Sequence, residues 1–97
     1  MIALRLARFA VRAEARELAE RAMHELATRV RVTLPNTNLS IYRSEPLHYL
    51  AVIRSEEHTG EVAALTGAMA PFLDGRLEVT DCELVTSSDL HRRHRRR

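Results

Sequence analysis

The stretch IALRLARFAV, residues 2–11, decides the fold because its apolar side chains alternate onto both faces of an extended strand. One face would carry Ile2, Leu4 and Leu6, and the other Ala3, Ala7, Phe9 and Val11. A sheet with helices on one side and water on the other needs only one apolar face. The pattern therefore predicts that the second face is buried too, most simply against a copy of the same chain.

The hydrophobic period after this strand predicts the remaining elements. A helix is expected over Arg12–Arg31, where apolar residues recur every three or four positions. Strands are expected over Asn38–Arg43 and Leu47–Arg54, then a second helix capped by Ser55 and a last strand over Leu77–Val85. The predicted fold is α+β and ferredoxin-like, in the order βαββαβ, with a four-stranded antiparallel sheet and two helices on one face.

Each predicted helix has one apolar stripe that would pack on the sheet. In the first helix the stripe consists of Ala15, Leu18, Ala19, Ala22, Leu26 and Val30. In the second helix it consists of Val62, Leu65, Met69 and Phe72.

Charge is unevenly distributed along the 97 residues. Five of the fifteen basic residues lie within residues 92–97, and the rest of the chain has ten basic against thirteen acidic residues. We therefore expect a single domain over residues 1–86 and a disordered basic tail over residues 87–97. An acidic body with four aromatic residues does not predict a specific nucleic-acid partner.

The composition also bears on location. The chain has no apolar run near the roughly 20 residues that a membrane helix needs, so no membrane partner is expected. Arg5 and Arg8 interrupt the first apolar stretch, unlike the apolar centre of a secretory signal. A single cysteine, Cys82, excludes an internal disulfide, and a cytoplasmic protein is expected.

The turn between the two middle strands predicts how their side chains sort. A two-residue turn at Glu45-Pro46 would pair Tyr42 with Tyr49 and Asn38 with Ile53. Asn38, Tyr42 and Tyr49 would then share one face and form the polar wall of a pocket. The opposite, apolar face would carry Leu39, Ile41, Leu50 and Val52, with Arg43, His48 and Arg54 toward its ends.

Three segments together resemble the antibiotic biosynthesis monooxygenase family. They are ALRLARFAVRAEARELAER at residues 3–21, IRSEEHTGEV at residues 53–62 and LTGAMAPFLDGRLEVTDCELV at residues 65–85. The resemblance lies in hydrophobic pattern and element length, and it covers nearly all of residues 1–86. It implies a dimeric α+β barrel, a homodimer whose sheets pack face to face with a substrate cavity between sheet and helices in each subunit. It also implies either oxidation of quinols or aromatic polyketides by molecular oxygen without a cofactor, or haem degradation.

The haem-degrading branch of that family differs from this chain. It has an asparagine in the first strand, where Ala7 stands here, and a histidine late in the second helix, where this chain has none between His58 and His91. Haem degradation is therefore not expected. Many members also have a tryptophan at the end of the third strand, and this chain has Ile53 there.

Oxygenation without a cofactor needs a base, a donor to a phenolate oxygen and a group that orients the ring. The candidate catalytic residues are His24, Asn38, Tyr42 and Tyr49. The candidate substrate-binding residues are His48, Ile53, Arg54, Leu65, Met69 and Phe72. No metal site is expected, because no two histidines have the i, i+4 spacing of a helical metal site.

The sequence thus favours a small cofactor-independent monooxygenase that acts on an aromatic polyketide or quinol-type substrate in antibiotic or secondary metabolism. Two alternatives remain open. One is a polyketide cyclase or isomerase of the same fold without redox chemistry. The other is a dimeric binding or accessory module without catalysis.

Overall fold

In a computed structural model of the protein, the described residues are 3–34, 36–55, 61–86 and 88. The strands are β1 (Ala3–Ala10), β2 (Thr37–Glu45), β3 (His48–Ser55) and β4 (Glu78–Cys82), and the helices are α1 (Arg16–Thr33) and α2 (Glu61–Met69). The four strands form one antiparallel sheet in the order β2-β3-β1-β4. This arrangement confirms the predicted ferredoxin-like α+β fold. The predicted tail lies outside the described residues, apart from residue 88.

The central strand β1 lies between β3 and β4 and supplies both faces of the sheet. Ala7 and Phe9 are buried in the core cluster that includes residues of both helices. Leu4 and Leu6 alternate with them and therefore point to the opposite face, where they are only partly buried. We call the side that carries Ala7 and Phe9 the helix face and the other side the open face.

Helix α1 buries a slightly different stripe from the predicted one. It follows a short 3-10 turn at Ala13–Ala15 and buries Ala19, Met23, Leu26 and Val30. The prediction of Leu18 as a core residue is wrong, since that side chain is 54% exposed. Met23 takes its place because it lies four residues after Ala19 and three before Leu26, on one helical face.

Helix α2 packs as its stripe predicts. Leu65 and Met69 are fully buried, and Val62 and Phe72 pack against the same cluster. Ser55 is the last residue of β3 and pairs with Thr37. Its predicted role as a helix cap falls on residues 56–60, which lie outside the described residues.

The hairpin between β2 and β3 has a register that the sequence did not predict. Pro46 and Leu47 form the turn, Glu45 pairs with His48, and Leu47 has a φ of 69°. Positive φ at the second central residue is the requirement of a type II turn, in which proline is common at the first central position. A bulge then shifts the register between Arg43 and Glu45.

The bulge changes which side chains share a face. Displacing the turn by one residue would alone move every pairing by two positions and leave each side chain on its face. The bulge removes one of those two positions, so Arg43 pairs with Tyr49 and Tyr42 with Leu50. The prediction that Asn38 and Tyr42 share a face with Tyr49 is therefore wrong. The helix face of the hairpin carries Leu39, Ile41, Arg43, Tyr49, Ala51 and Ile53.

The open face is apolar at its centre. Leu6 pairs with Val52 of β3, and Leu50 pairs with Tyr42 of β2. Leu4, Leu6, Leu50 and Val52 are half-buried, and Tyr42 is 55% exposed. No described helix covers this face. The alternating apolar pattern of the first strand predicts such a second apolar face, away from the helices.

Candidate functional site

A cleft of about 330 Å³ lies between α1 and the strands β2 and β3. Its volume is at the lower end of the range of small-molecule sites, which starts at about 300 Å³. The residues that line it are Glu20, Met23, His24, Ala27, Ile41, Arg43 and Tyr49. The helix supplies the first four, and the helix face of the hairpin supplies the other three.

Tyr49 forms the inner wall of the cleft. It is 3% exposed, and its ring stacks on Phe9 of the neighbouring strand with ring centroids 5.6 Å apart and an interplanar angle of 19°. The register that pairs Phe9 with Tyr49 brings these rings together. The stack fixes the direction of the tyrosine ring, so its hydroxyl group is held at the cleft.

Glu20 is the centre of a charged cluster at one end of the cleft. The Tyr49 hydroxyl donates a hydrogen bond of 2.6 Å to Glu20 Oε2, and Arg43 Nη2 donates another of 2.6 Å to the same oxygen. Arg16 Nε lies 3.6 Å from that oxygen, one helical turn away. Short bonds to a charged acceptor are among the stronger hydrogen bonds in proteins, so this cluster rigidifies the site.

The cluster fixes the protonation states around the cleft. The hydrogen bond from Tyr49 and the bond from Arg43 lower the pKa of Glu20, so its carboxylate is charged near neutral pH. Burial, followed by the bond to Glu20, raises the pKa of Tyr49. Tyr49 therefore keeps its proton and donates a hydrogen bond to Glu20, which leaves the phenol oxygen able to accept a hydrogen bond from a ligand.

His24 lies on the rim of the cleft, one helical turn after Glu20. Its side chain is exposed, so solvent and a ligand can both reach the imidazole. A neutral imidazole has one ring nitrogen without a hydrogen, and that nitrogen can accept a proton from a ligand. Met23 and Ile41 supply apolar surface next to it. The cleft thus combines a base, a cation and an apolar wall.

Four other predicted site residues lie elsewhere. Asn38 and Tyr42 alternate with the helix-face residues of β2, and Asn38 Oδ1 accepts a hydrogen bond of 3.1 Å from Ser40. Asn38 also borders a second cavity, between α1 and the start of β2. His48 is exposed, and its Nδ1 lies 3.1 Å from the carbonyl oxygen of Pro46. Arg54 pairs with Asn38 and is also exposed. Of the four predicted catalytic residues, the cleft brings together only His24 and Tyr49.

The apolar residues predicted to bind substrate belong to the core. Ile53 is 1% exposed, Leu65 and Met69 are fully buried, and Phe72 packs against the same cluster. They do not line the cleft. Their contribution to it is the packing that supports the sheet and α2 behind it.

Sequence reasoning missed Glu20 and Arg43. Glu20 precedes His24 by four residues, so the two share a helical face, and this spacing could have identified it. Arg43 continues the alternation of Leu39 and Ile41, which makes it a charge on an otherwise apolar strand face. Such a charge needs a partner, and Glu20 is that partner.

No helix among the described residues is both long and apolar enough to cross a membrane. No group of three or more histidine, cysteine, aspartate or glutamate residues within the described part of the chain could hold a metal ion.

Comparison with known proteins identifies the fold from structure rather than from sequence. The sequence matches no family model, and no curated protein matches it. A crystal structure from Caulobacter crescentus, described as a candidate antibiotic biosynthesis monooxygenase, superposes with a TM-score of 0.73 at 18% identity, over 88% of this chain and 91% of that one.

Further solved structures agree with this match. A candidate antibiotic biosynthesis monooxygenase from Nitrosomonas europaea has a TM-score of 0.72 at 9% identity, over 87% of this chain and 90% of that one. A protein from Mycobacterium tuberculosis has a TM-score of 0.73 at 13% identity, over 91% and 99%. The chain therefore has the fold of proteins described as antibiotic biosynthesis monooxygenases, as its sequence resemblance predicts.

Proposed function

We propose that the protein is a small monooxygenase that oxidises an aromatic polyketide or quinol-type substrate with molecular oxygen and no cofactor. The observation that carries the proposal is the cleft, which places His24, Arg43 and Tyr49 beside the apolar surface of Met23 and Ile41. The shared fold with candidate antibiotic biosynthesis monooxygenases supports the same reaction class. That the protein works in the cytoplasm stays a prediction from the sequence.

The reaction can be written for an anthrone, a ring system with a methylene group opposite a ketone. His24 takes a proton from the methylene carbon, and the Arg43 guanidinium stabilises the negative charge that develops on the ketone oxygen. The carbanion gives one electron to oxygen, and the resulting radical pair joins to form a carbon–oxygen bond. The peroxide takes up the proton and loses water to leave a second ketone. The methylene group and one oxygen molecule thus become a carbonyl group and one water molecule.

The roles of Glu20 and Tyr49 follow from their hydrogen bonds. Glu20 holds Arg43 through the bond to Nη2, which orients the guanidinium toward the cleft. Tyr49 donates a hydrogen bond to Glu20, so its oxygen can accept a hydrogen bond from a substrate hydroxyl group. Glu20 is a positioning residue in this mechanism, Tyr49 binds the substrate, and His24 is the base.

The open face supports a homodimer. Leu4, Leu6, Leu50 and Val52 form a half-buried apolar surface that a second copy would cover. A chain of this size also buries too little surface alone to support a large core, and association offsets that deficit. Sedimentation of the wild-type protein should give twice the chain mass of 11.1 kDa. A stable monomer would contradict the dimer.

Oxygen consumption tests the function directly. The purified protein is incubated aerobically with a hydroxyanthrone, and oxygen uptake is followed with an electrode while the anthraquinone product is measured by absorbance. We expect one oxygen molecule consumed for each quinone formed, at a rate above that of the uncatalysed reaction. Uptake at the uncatalysed rate across a series of hydroxyanthrones and hydroquinones would contradict the proposal.

A second candidate is a cyclase or isomerase without redox chemistry. It is favoured by the nature of the cleft residues, since His24, Tyr49, Glu20 and Arg43 are acid–base and charge-stabilising groups that could equally form and hold an enolate. Turnover of a poly-β-ketone substrate under strict exclusion of oxygen would favour this candidate. Binding of aromatic compounds without turnover in either assay would favour an accessory binding module.

A further inference from the structure

A second cavity lies next to the cleft along α1. This cavity has a volume of about 240 Å³ and lies between the C-terminal half of α1 and the start of β2. Ala27 lines both cavities, so they are adjacent. Because Ala27 has only a methyl side chain, it leaves space between the helix and the strand. A ligand longer than the cleft would therefore extend along the helix into the second cavity.

The spacing of residues on α1 sets the length of this groove. Glu20, His24, Ala27 and Arg31 are separated by four, three and four positions, so they form one line along the helix. With a rise of about 1.5 Å per residue, Arg31 lies about 10 Å beyond His24 along the helix axis. This distance is comparable to the long dimension of three fused aromatic rings.

The two ends of the groove differ in charge. At the cleft end, Glu20 pairs with Arg43. At the far end, Arg31 has no ion pair with any carboxylate in the described part of the chain. The α1 C-terminus carries about half a negative charge, which is less than the full positive charge of the guanidinium. The second cavity is therefore positive, and the hydroxyl groups of Thr28 and Thr37 beside it add neutral donors.

We propose that the groove binds an elongated aromatic substrate whose far end carries a carboxylate that Arg31 recognises, about 10 Å from the base His24. This inference rests on the proposed function for the reacting end of the molecule only. It assigns the second cavity to substrate selection. The carboxylate would hold the ring system along α1, with its reactive carbon beside His24.

Binding of two matched product analogues tests this assignment without any turnover. One probe is a hydroxyanthraquinone with a carboxylate on the ring opposite its hydroxyl group, and the other has a carboxamide in that position. Affinities are measured by isothermal titration calorimetry. Because Arg31 is exposed, the wild-type protein should prefer the carboxylate by about threefold to tenfold. The preference should fall as salt is raised, since screening weakens the ion pair.

Variants on the same helix locate the effect. Arg31→Gln should abolish the preference, and Arg31→Lys should retain part of it because the charge remains. Arg29→Gln is the matched control, since Arg29 is exposed on α1 but lies outside both cavities, and it should keep the full preference. Equal circular dichroism spectra and melting temperatures would show that the variants fold alike.

Several results would overturn the inference. They are failure of the wild type to bind either probe, equal affinity for both probes, or a carboxylate preference that survives Arg31→Gln. A preference lost only in Arg43→Gln would place the anion in the cleft and would also overturn it. The binding test and the oxygen assay can fail separately. A carboxylate preference without oxygen uptake would refute the proposed reaction and leave the role of Arg31 intact.

Discussion

The two tyrosines of the chain lie on neighbouring strands but on opposite faces of the sheet. Tyr49 is buried against Phe9 and donates a hydrogen bond to Glu20 in the cleft. Tyr42 is 55% exposed on the open face and pairs with Leu50. The helix face is closed within one subunit and carries the candidate chemistry, whereas the open face is apolar and without cover from a described helix. The bulge shifts the alternation of side chains on β2 by one residue relative to β3. The two tyrosines therefore point to opposite faces of the sheet and have different surroundings.

His24 and His48, the two histidines among the described residues, give the strongest test of this difference. His24→Ala should lower kcat/KM for oxygen uptake by about 10²- to 10⁴-fold, because it removes the base from the cleft. His48→Ala should leave activity near the wild-type value, since His48 lies outside the cleft. Equal activity of the His24→Ala variant and the wild type would refute the assignment of the base.

Core packing on the helix face gives the next effect. Ile53→Ala should lower the free energy of unfolding by about 2–5 kcal/mol, because Ile53 is fully surrounded by the core cluster. The measurement is urea unfolding followed by circular dichroism. Val32→Ala, on the exposed side of α1, is the control and should change stability by less than about 0.5 kcal/mol. A small loss for Ile53→Ala would show that this face is less tightly packed than described.

The adjacent residue on β3 tests the open face. Val52→Lys places a charge at the centre of the proposed dimer interface and should convert the dimer to a monomer in sedimentation velocity. Val32→Lys introduces the same charge on α1 and should leave the dimer intact. A dimer that persists in Val52→Lys would show that association uses another surface.

The tyrosines themselves should differ by a smaller amount. Tyr49→Phe removes the hydrogen bond to the charged Glu20 and should cost about 1.5–3 kcal/mol of unfolding free energy. Tyr42→Phe removes a hydroxyl group from an exposed side chain and should change stability only slightly. Both are measured by urea unfolding. If the two variants lose the same stability, the bond between Tyr49 and Glu20 contributes nothing.

The pH dependence of Glu20 is the smallest expected effect. Its pKa is lowered in the folded protein from an ordinary value of 4.5, so its charge stabilises the fold above that pH. This stabilisation should be lost as the pH falls through the lowered value. The wild type should therefore exceed Glu20→Gln in stability at pH 7 by up to about 1 kcal/mol, and the difference should shrink as the pH is lowered below 4.5. A difference that grows on acidification would contradict the sign of the shift.

The sequence was sufficient for the fold and for part of the site. Alternating and helical hydrophobic patterns depend on local spacing, so all four strands and both helices could be predicted to within a few residues. His24 and Tyr49 were found by residue type. Arg43 was placed on the correct face of β2, but its meeting with Tyr49 depended on a bulge, and no pattern of residue types announces one. Glu20 was missed because its role depends on partners 23 and 29 positions away.

The bulge also governs how the gene for this hairpin can change in length. Loss of the codon for Ser44 would leave Arg43 paired with Tyr49 and would only straighten the ladder. Loss of the codon for Tyr42 would instead turn the side chains of Leu39 and Ile41 away from α1. The side chains of β2 before the deletion would then all lie on the opposite face of the sheet. Insertions and deletions in related genes should therefore occur mainly beside the turn, where they leave the helix face of β2 unchanged.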